Sequence, residues 1–428
     1  MSTLLISIGG TPNPVIFSIK QHAADEVVFF VSRDSRPLVS RDILPALLKD
    51  TGSVPDHEFV LTPDPQDLGE CVFTLLREVP EALRRLGIDH LEWPELVDYT
   101  AGTKVMSAAL TLASSRYPCQ VAYIGTPDEG GRTKDGVGVV LDGRERVFFQ
   151  ENPWNRIAWF DARTAAELFN RGQYGNAWRL MERIARQVTE EGTKRVFKVL
   201  AGIFQGFACW DVFDHKQAQH LLNRHLQSLL DVVHRQTPGI PRLDSFAEEV
   251  RELHAVLNRI KPKTLTLDLV DDLLANALRR AELEQKYEDA TARCYAAIER
   301  LAQHQLMLKY GIDASDARAE LLPVCLRGEY EKRYTVIRVK KDGSKTTKMK
   351  LPLYADFRLL AERGDPIGKR FFECEERIQS DLQARNRSIL GHGMEPIQGD
   401  QFRALFEDAL YLRGIEESSL WRFPTLRL

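Results

Sequence analysis

Strand-like and helical segments alternate along the first 152 residues, and that alternation restricts the fold more than any other property of the chain. Thr3 to Ile8 is a β-rich run, and a helical stretch follows from Val15 to Ala23. Glu26 to Val31 is a second apolar strand; Ile43 to Leu48 reads as helix and His57 to Leu61 as extended. Leu68 to Leu86 is strongly helical, a strand ends at Asp98, and Gln120 to Ile124 is a further strand. Strands alternating with helices imply right-handed crossovers and a parallel sheet covered on both faces. Val137 to Leu141 and Arg146 to Phe149, split by Asp142-Gly143, read as a closing hairpin.

In such sheets ligands bind beyond the carboxyl ends of the strands, near the point where strand order reverses. Two strand ends here carry polar turns with glycine. The first is Gly9-Gly10-Thr11-Pro12-Asn13; the second is Asp98-Tyr99-Thr100-Ala101-Gly102-Thr103-Lys104. Behind the second turn, Val105, Met106, Ala109 and Leu110 recur at helical spacing, so a helix begins at Thr103. Its first N–H groups, the Thr103 hydroxyl and the Lys104 ammonium converge on a position that suits a phosphate or a polar nucleotide edge. The same residues also fit an ordinary strand-to-helix corner with a surface lysine. The spacing is not that of a phosphate-binding P-loop, and the Gly-x-Gly-x-x-Gly dinucleotide fingerprint is absent after the first strand.

After about Asn152 strand signals fade and helical periodicity takes over. The 428 residues suffice for two or three domains. A net charge of −3 gives no global basic field, so a nucleic-acid site would have to be local. No apolar run approaches 18 residues, no export leader is evident, and six scattered cysteines form no Cys-x-x-Cys pair. A cytoplasmic protein without disulfides, membrane span or structural metal is expected. The helical histidines His215, His220, His225 and His234 share no metal-like spacing with carboxylates. One internal similarity stands out: Glu167 to Ala177 resembles Glu282 to Ala290, each a helix end, a short turn with tyrosine, and a new helix. Pro238, Pro241 and Pro262 mark breaks between helices. Tyr334 to Val339 and Thr346 to Leu351 flank an Asp342-Gly343 turn, a hairpin signal. Eight Lys or Arg and one Asp between Lys332 and Lys350 make it locally basic, suited to steering an RNA backbone with Lys340, Lys341 and Lys345.

Near the C-terminus stands Arg385-Asn386-Arg387-Ser388-Ile389-Leu390-Gly391-His392-Gly393. On a continuous helix Arg385 and His392 fall within roughly 20° of each other, with Arg387 pointing elsewhere. Gly391 and Gly393 suggest that such a helix frays at His392. A histidine moves a proton at neutral pH and an arginine stabilises charge building on phosphorus. The pair suits attack by an RNA 2′-hydroxyl on its own phosphodiester without a metal.

Taken together, the two glycine-bearing turns resemble the paired ligand motifs of CARF domains, Rossmann folds that sense cyclic oligoadenylates. Arg385-Asn386 with His392 resembles the Arg-x(4–6)-His signature of HEPN ribonucleases. This order resembles the CARF–HEPN ancillary ribonucleases of type III CRISPR systems. Leu273 to Ala277 and Ser388 to Gly393 resemble one subfamily of these. The implied fold is α/β plus all-α: a Rossmann-like CARF domain (1–152), a helical connector (153–262) and a HEPN domain (263–428) with the basic hairpin inserted near 332–351. The implied protein is a homodimer that cleaves single-stranded RNA at a composite HEPN site, activated by cyclic oligoadenylate at the paired CARF domains and needing no cofactor. By the same resemblance Gly9, Gly10, Thr11, Asn13, Asp98, Thr100, Gly102, Thr103, Lys104 and Met106 form the activator site. Arg385 and His392 carry catalysis, Asn386 orients them, and Arg387 supports; Arg387 also satisfies the motif, so the two arginines compete for the role. In some relatives the CARF pocket slowly cleaves its own ligand, which Thr11 and Thr103 would assist here. Ala101 stands where the family has a glycine, a change the turn accepts only at negative φ. The alternative is a CARF transcriptional regulator or a non-catalytic module answering the same ligand, with the basic hairpin as a wing.

Overall fold

The computed structural model describes residues 2–127, 131, 140–141, 143–234, 243–261, 264–339, 345–388 and 394–428. The chain divides into two compact units: Met1–Arg163 with Arg179–Lys198, and Thr164–Trp178 with Val199–Leu428.

The first unit is built on β1 (Thr3–Ser7), α1 (Asn13–His22) and β2 (Glu26–Val31). Next come α2 (Arg36–Leu38), a π-helical stretch (Val39–Ile43), α3 (Leu44–Thr51), β3 (Asp56–Leu61) and α4 (Leu68–Arg85). They are followed by β4 (Leu96–Asp98), α5 (Lys104–Ser114), β5 (Gln120–Gly125) and β6 (Arg146–Gln150). The sheet order is β3-β2-β1-β4-β5-β6. The first five strands are parallel, with Leu5 beside Val28 and Val97. The β6 edge runs antiparallel to β5, Val147 facing Ile124. Of the expected closing hairpin, Val137–Val139 lie outside the described residues, and Arg146–Gln150 is accounted for by its pairing with β5. Both faces of the sheet are covered. Leu4, Ile6, Val27 and Phe29 pack with Val15, Ile19 and Ile43 on one side. Leu5, Val28, Phe30 and Val97 pack with Leu75, Val79, Met106 and Leu110 on the other. Strand order reverses between β1 and β4, so the loops after these two strands flank the crevice where such sheets bind ligands.

The helices that follow are α6 (Trp154–Asn170), α7 (Tyr174–Gln187), α8 (Glu191–Asp211), α9 (His215–His234) and α10 (Leu243–Arg259). Next are α11 (Leu267–Glu284), α12 (Tyr287–Tyr310) and α13 (Val324–Tyr334). The antiparallel hairpin β7 (Thr335–Val339) and β8 (Lys345–Met349) then precedes α14 (Leu353–Glu362), α15 (Pro366–Glu373), α16 (Glu375–Arg387) and α17 (Gly399–Arg413). The core of the second unit joins Leu274, Leu278, Ile298, Leu301, Phe357, Leu360, Leu405 and Phe406. Phe357 and Phe371 stack with ring centroids 4.1 Å apart. Two buried carboxylates pin helices together. Asp272 of α11 accepts from Trp210 Nε1 (2.9 Å) and lies 2.8 Å from His215 Nε2. Asp365 accepts from Gln305 (2.8 Å), Lys309 (2.9 Å) and Tyr310 (3.3 Å) and caps α15.

Asp356 of α14 behaves differently. It is fully buried and neither carboxyl oxygen has a hydrogen-bond partner. Burial, reinforced by the nearby Glu299, pushes its pKa up to about 8. An unfolded aspartate titrates near about 4, so between about pH 4 and 8 the folded chain holds a proton that the unfolded chain has lost. Stability therefore falls across that interval as pH rises. Asp356→Asn, neutral at every pH, should raise the melting temperature, by more at about pH 9 than at about pH 5. A gain independent of pH would contradict the assignment.

Candidate functional site

At the switch point the two glycine-bearing turns touch backbone to backbone. A Cβ on Gly9 would lie 2.6 Å from Gly102 N. Gly102 sits at φ +90, with Met106 Cβ 3.2 Å and Ser7 Cβ 3.4 Å from the place of an added Cβ. Both positions require glycine, one for space and one for conformation as well. Ala101 is not among the positive-φ residues, so it meets the condition set by its methyl group.

Serines on the neighbouring elements hold this contact. Ser7 Oγ donates to Ala101 O (2.5 Å) and Ser107 Oγ to the same oxygen (3.2 Å). Ser18 of α1 donates to Asp98 Oδ2 (2.5 Å), and Thr100 N donates to Asp98 Oδ1 (2.8 Å), with the Thr100 hydroxyl on that same oxygen. Ile124 N donates in turn to Thr100 Oγ1 (2.7 Å). Asp98 is fully buried. Burial raises its pKa, while the donors from Ser18 and Thr100 favour the ionised form. On α1, burial lowers the pKa of His22, partly offset by the charge of Asp98. Thus α1, β4 and β5 are tied to one carboxylate beneath the turn.

Thr103 is the N-cap of α5: its Oγ1 accepts from Met106 N (3.1 Å) and donates to Pro65 O (2.7 Å). Lys104 opens the helix. It is exposed, makes no ion pair among the described residues, and has no acidic residue in its helical turn. Gly10 and Thr11 on the facing loop and Asn13, the first residue of α1, are exposed. Met106 is buried beneath the turn, packed against Gly102. The predicted residues therefore sort into two layers. Gly10, Thr11, Asn13 and Lys104 face solvent, whereas Asp98, Thr100, Met106 and the Thr103 hydroxyl are engaged inside the protein. The arrangement offers an anion the free end of a helix and an ammonium group. Ser7, Ser18 and Pro65 were not singled out from the sequence. The one available signal was Ser18, a polar residue among the buried positions Val15 and Ile19 of α1.

Of the second constellation, Arg385, Asn386 and Arg387 lie in the last turn of α16, and His392 is outside the described residues. The helix α16 ends at Arg387, and Ser388 forms an isolated parallel bridge with Glu395. The stretch from Ile389 to Gly393 lies outside the described residues, and the spacing from Arg385 to His392 runs into it. Lys340 and Lys341 are also outside the described residues, and Lys345 opens β8.

Two family models match adjoining stretches: the Csm6 6H domain over residues 158–257 and the Csm6 HEPN domain over residues 258–413. This is a Csm6-like chain of CARF–HEPN type. Enterococcus italicus Csm6, solved bound to cyclic hexa-2′-fluoro-hexa-dAMP, shares the fold of the Csm6-like chain with a TM-score of 0.57. The two are 12% identical over 98% of this chain and 96% of that one. The CRISPR system endoribonuclease Csm6 of Thermus thermophilus is 26% identical over 311 residues. That match covers 71% of this Csm6-like chain and 62% of the relative, less than two thirds of its length. Among the described residues no helix is long and apolar enough to cross a membrane.

The glycine contact yields a paired expectation. Gly9→Ala must push the two turns apart, at a cost of about 1–3 kcal/mol. Gly10→Ala meets open space and should stay within about 0.5 kcal/mol of the parent. Thermal melting of both variants checks this, and equal effects would contradict the contact.

Proposed function

We propose that this chain is a homodimeric endoribonuclease that cleaves single-stranded RNA without a metal ion. Cyclic oligoadenylate bound at the paired CARF domains switches it on. The observation that carries the reading is the Gly9–Gly102 crevice, with Lys104 free at its rim, in a chain that also matches the Csm6 HEPN domain. A cyclic phosphodiester presents repeated anionic groups, and a two-fold pair of crevices would present repeated helix N-termini and lysines. The exposed layer (Gly10, Thr11, Asn13, Lys104) contacts the ring. The engaged layer (Asp98, Thr100, Thr103, Met106), together with Gly9 and Gly102, shapes the crevice.

In the HEPN domain, Arg385 and His392 are the catalytic residues, with Asn386 orienting them and Arg387 a supporting phosphate contact. Each protomer supplies one half of the site. His392 takes the proton from the RNA 2′-hydroxyl or delivers one to the leaving 5′-oxygen. The new 2′-oxygen–phosphorus bond forms as the phosphorus–5′-oxygen bond breaks, and the arginine balances the charge that builds on phosphorus. Lys340, Lys341 and Lys345 steer the RNA backbone toward it. Since the Thr103 hydroxyl is committed to Pro65 and Met106, any slow cleavage of the bound ring falls to Thr11. The Csm6 6H and HEPN matches favour this reading over a transcriptional regulator.

The test is cleavage of a fluorescent single-stranded RNA in EDTA, with cyclic tetra-adenylate, cyclic hexa-adenylate or neither. One ring should activate the parent chain. Arg385→Ala and His392→Ala should each lose at least about a hundredfold in rate while keeping the thermal shift given by that ring. Arg387→Ala should lose less than Arg385→Ala. Undiminished cleavage by the His392 variant, or cleavage that EDTA abolishes, would contradict the mechanism.

A further inference from the structure

The two turns that resemble each other in sequence meet in the second unit. Arg171–Asn176, between α6 and α7, and Leu283–Lys286, between α11 and α12, line one cavity of about 590 Å³. Gly172, at φ +80, allows the close approach: a Cβ there would stand 3.4 Å from Leu283 Cβ.

The cavity is bordered by a linked set of charges. Asp211, at the end of α8, pairs with Arg280 and lies 3.6 Å from Arg279 Nε. Arg280 also pairs with Glu284, and its Nε is 3.5 Å from Asp289. Lys286 pairs with Glu284, and Arg293 with Asp289. Arg171, on the cavity wall, is exposed and makes no ion pair among the described residues. Among the residues that line the cavity, three cations (Arg171, Arg280 and Lys286) stand against two carboxylates (Asp211 and Glu284), an excess of one positive charge.

Hydrogen bonding in this set is incomplete on the donor side. Arg280 lines the cavity, is nine-tenths buried, and donates no hydrogen bond from Nε. The neighbouring Arg279 is 5% exposed; none of its three nitrogens donates a hydrogen bond, and its guanidinium rests 3.7 Å from the Phe423 ring centroid. A buried guanidinium short of acceptors is costly unless an anion completes it. The 14-residue α7 starts on the same wall, and its first turn, Tyr174-Gly175-Asn176, holds no acidic residue. A helix N-terminus adds directed N–H groups to that positive excess.

We propose that this cavity binds a phosphomonoester dianion, held by Arg171, Lys286, Arg280 and the first N–H groups of α7. It brings negative charge to a cavity whose lining is net positive, and its three terminal oxygens can take fork donors and N–H groups together. The phosphate could belong to a free mononucleotide or to the phosphorylated end of an RNA.

The test uses the full chain, with calorimetry and melting against inorganic phosphate, adenosine 5′-monophosphate, and one short RNA with either a 5′-phosphate or a 5′-hydroxyl. Binding of phosphate or the mononucleotide assigns a free-phosphate site. Preference for 5′-phosphorylated RNA over its 5′-hydroxyl form, by about tenfold or more, assigns an RNA-end site. Arg171→Ala and Lys286→Ala should each weaken the bound probe by about tenfold. Gly175→Asp places a carboxylate at the start of α7, where an added Cβ meets nothing within 4 Å. It should abolish phosphate binding without lowering the melting temperature. Failure of phosphate and of the mononucleotide to bind, together with equal affinity for the two RNAs, or unchanged binding in a folded Gly175→Asp variant, would overturn the proposal; loss of RNA cleavage would not bear on it.

Discussion

Everything proposed for the first unit depends on one contact, the backbone of Gly9 against the backbone of Gly102. It sits where strand order reverses, so the loops after β1 and β4 form a single surface rather than two separate rims. Behind it, one buried carboxylate, Asp98, gathers donors from α1 and from the turn itself. The crevice is therefore preorganised: its floor is closed by internal hydrogen bonds, and the Lys104 side chain stands exposed at its rim. A rigid floor lowers the ordering cost of binding and lets ligand contacts be expressed as a preference between states of the whole protein.

The charge economy of the two units differs. The crevice of the first has few charges, with Lys104 at its rim and Asp98 sealed underneath. The second unit concentrates charge in its interior. There some carboxylates are well supplied with donors, as at Asp365 and Asp272, and others are not, as at Asp356. Buried guanidinium groups around Asp211 are likewise short of acceptors. Such places lower stability locally, and they are where bound ligands or protons have most effect.

Much of the first unit was legible because its strands are buried on both faces. Val27–Val31 is an unbroken apolar run, and every one of its residues is buried. The turn from Asp98 to Lys104 was legible because cap chemistry is local: Thr103 accepts from Met106 three residues on. What escaped was non-local. Ser18 and Asp98 are 80 residues apart, and no pattern within either helix or strand announces their hydrogen bond. The π-helical stretch Val39–Ile43 left no mark in the apolar periodicity. The spacing from Arg385 to His392 reaches past Arg387, the last residue of α16, into residues outside those described. The likeness of Glu167–Ala177 to Glu282–Ala290 was visible in the sequence, but not that the two turns share a cavity.

The measurement closest to the central claim is the activation curve of the Lys104→Ala variant: RNA cleavage rate against concentration of the activating ring. Lys104 is exposed and its side chain supports no described contact, so the folded enzyme should be undisturbed. If the crevice is the sensor, the half-activating concentration rises by about tenfold or more while the rate at saturating ring is unchanged. An unchanged half-activating concentration would place the sensor elsewhere and contradict the account.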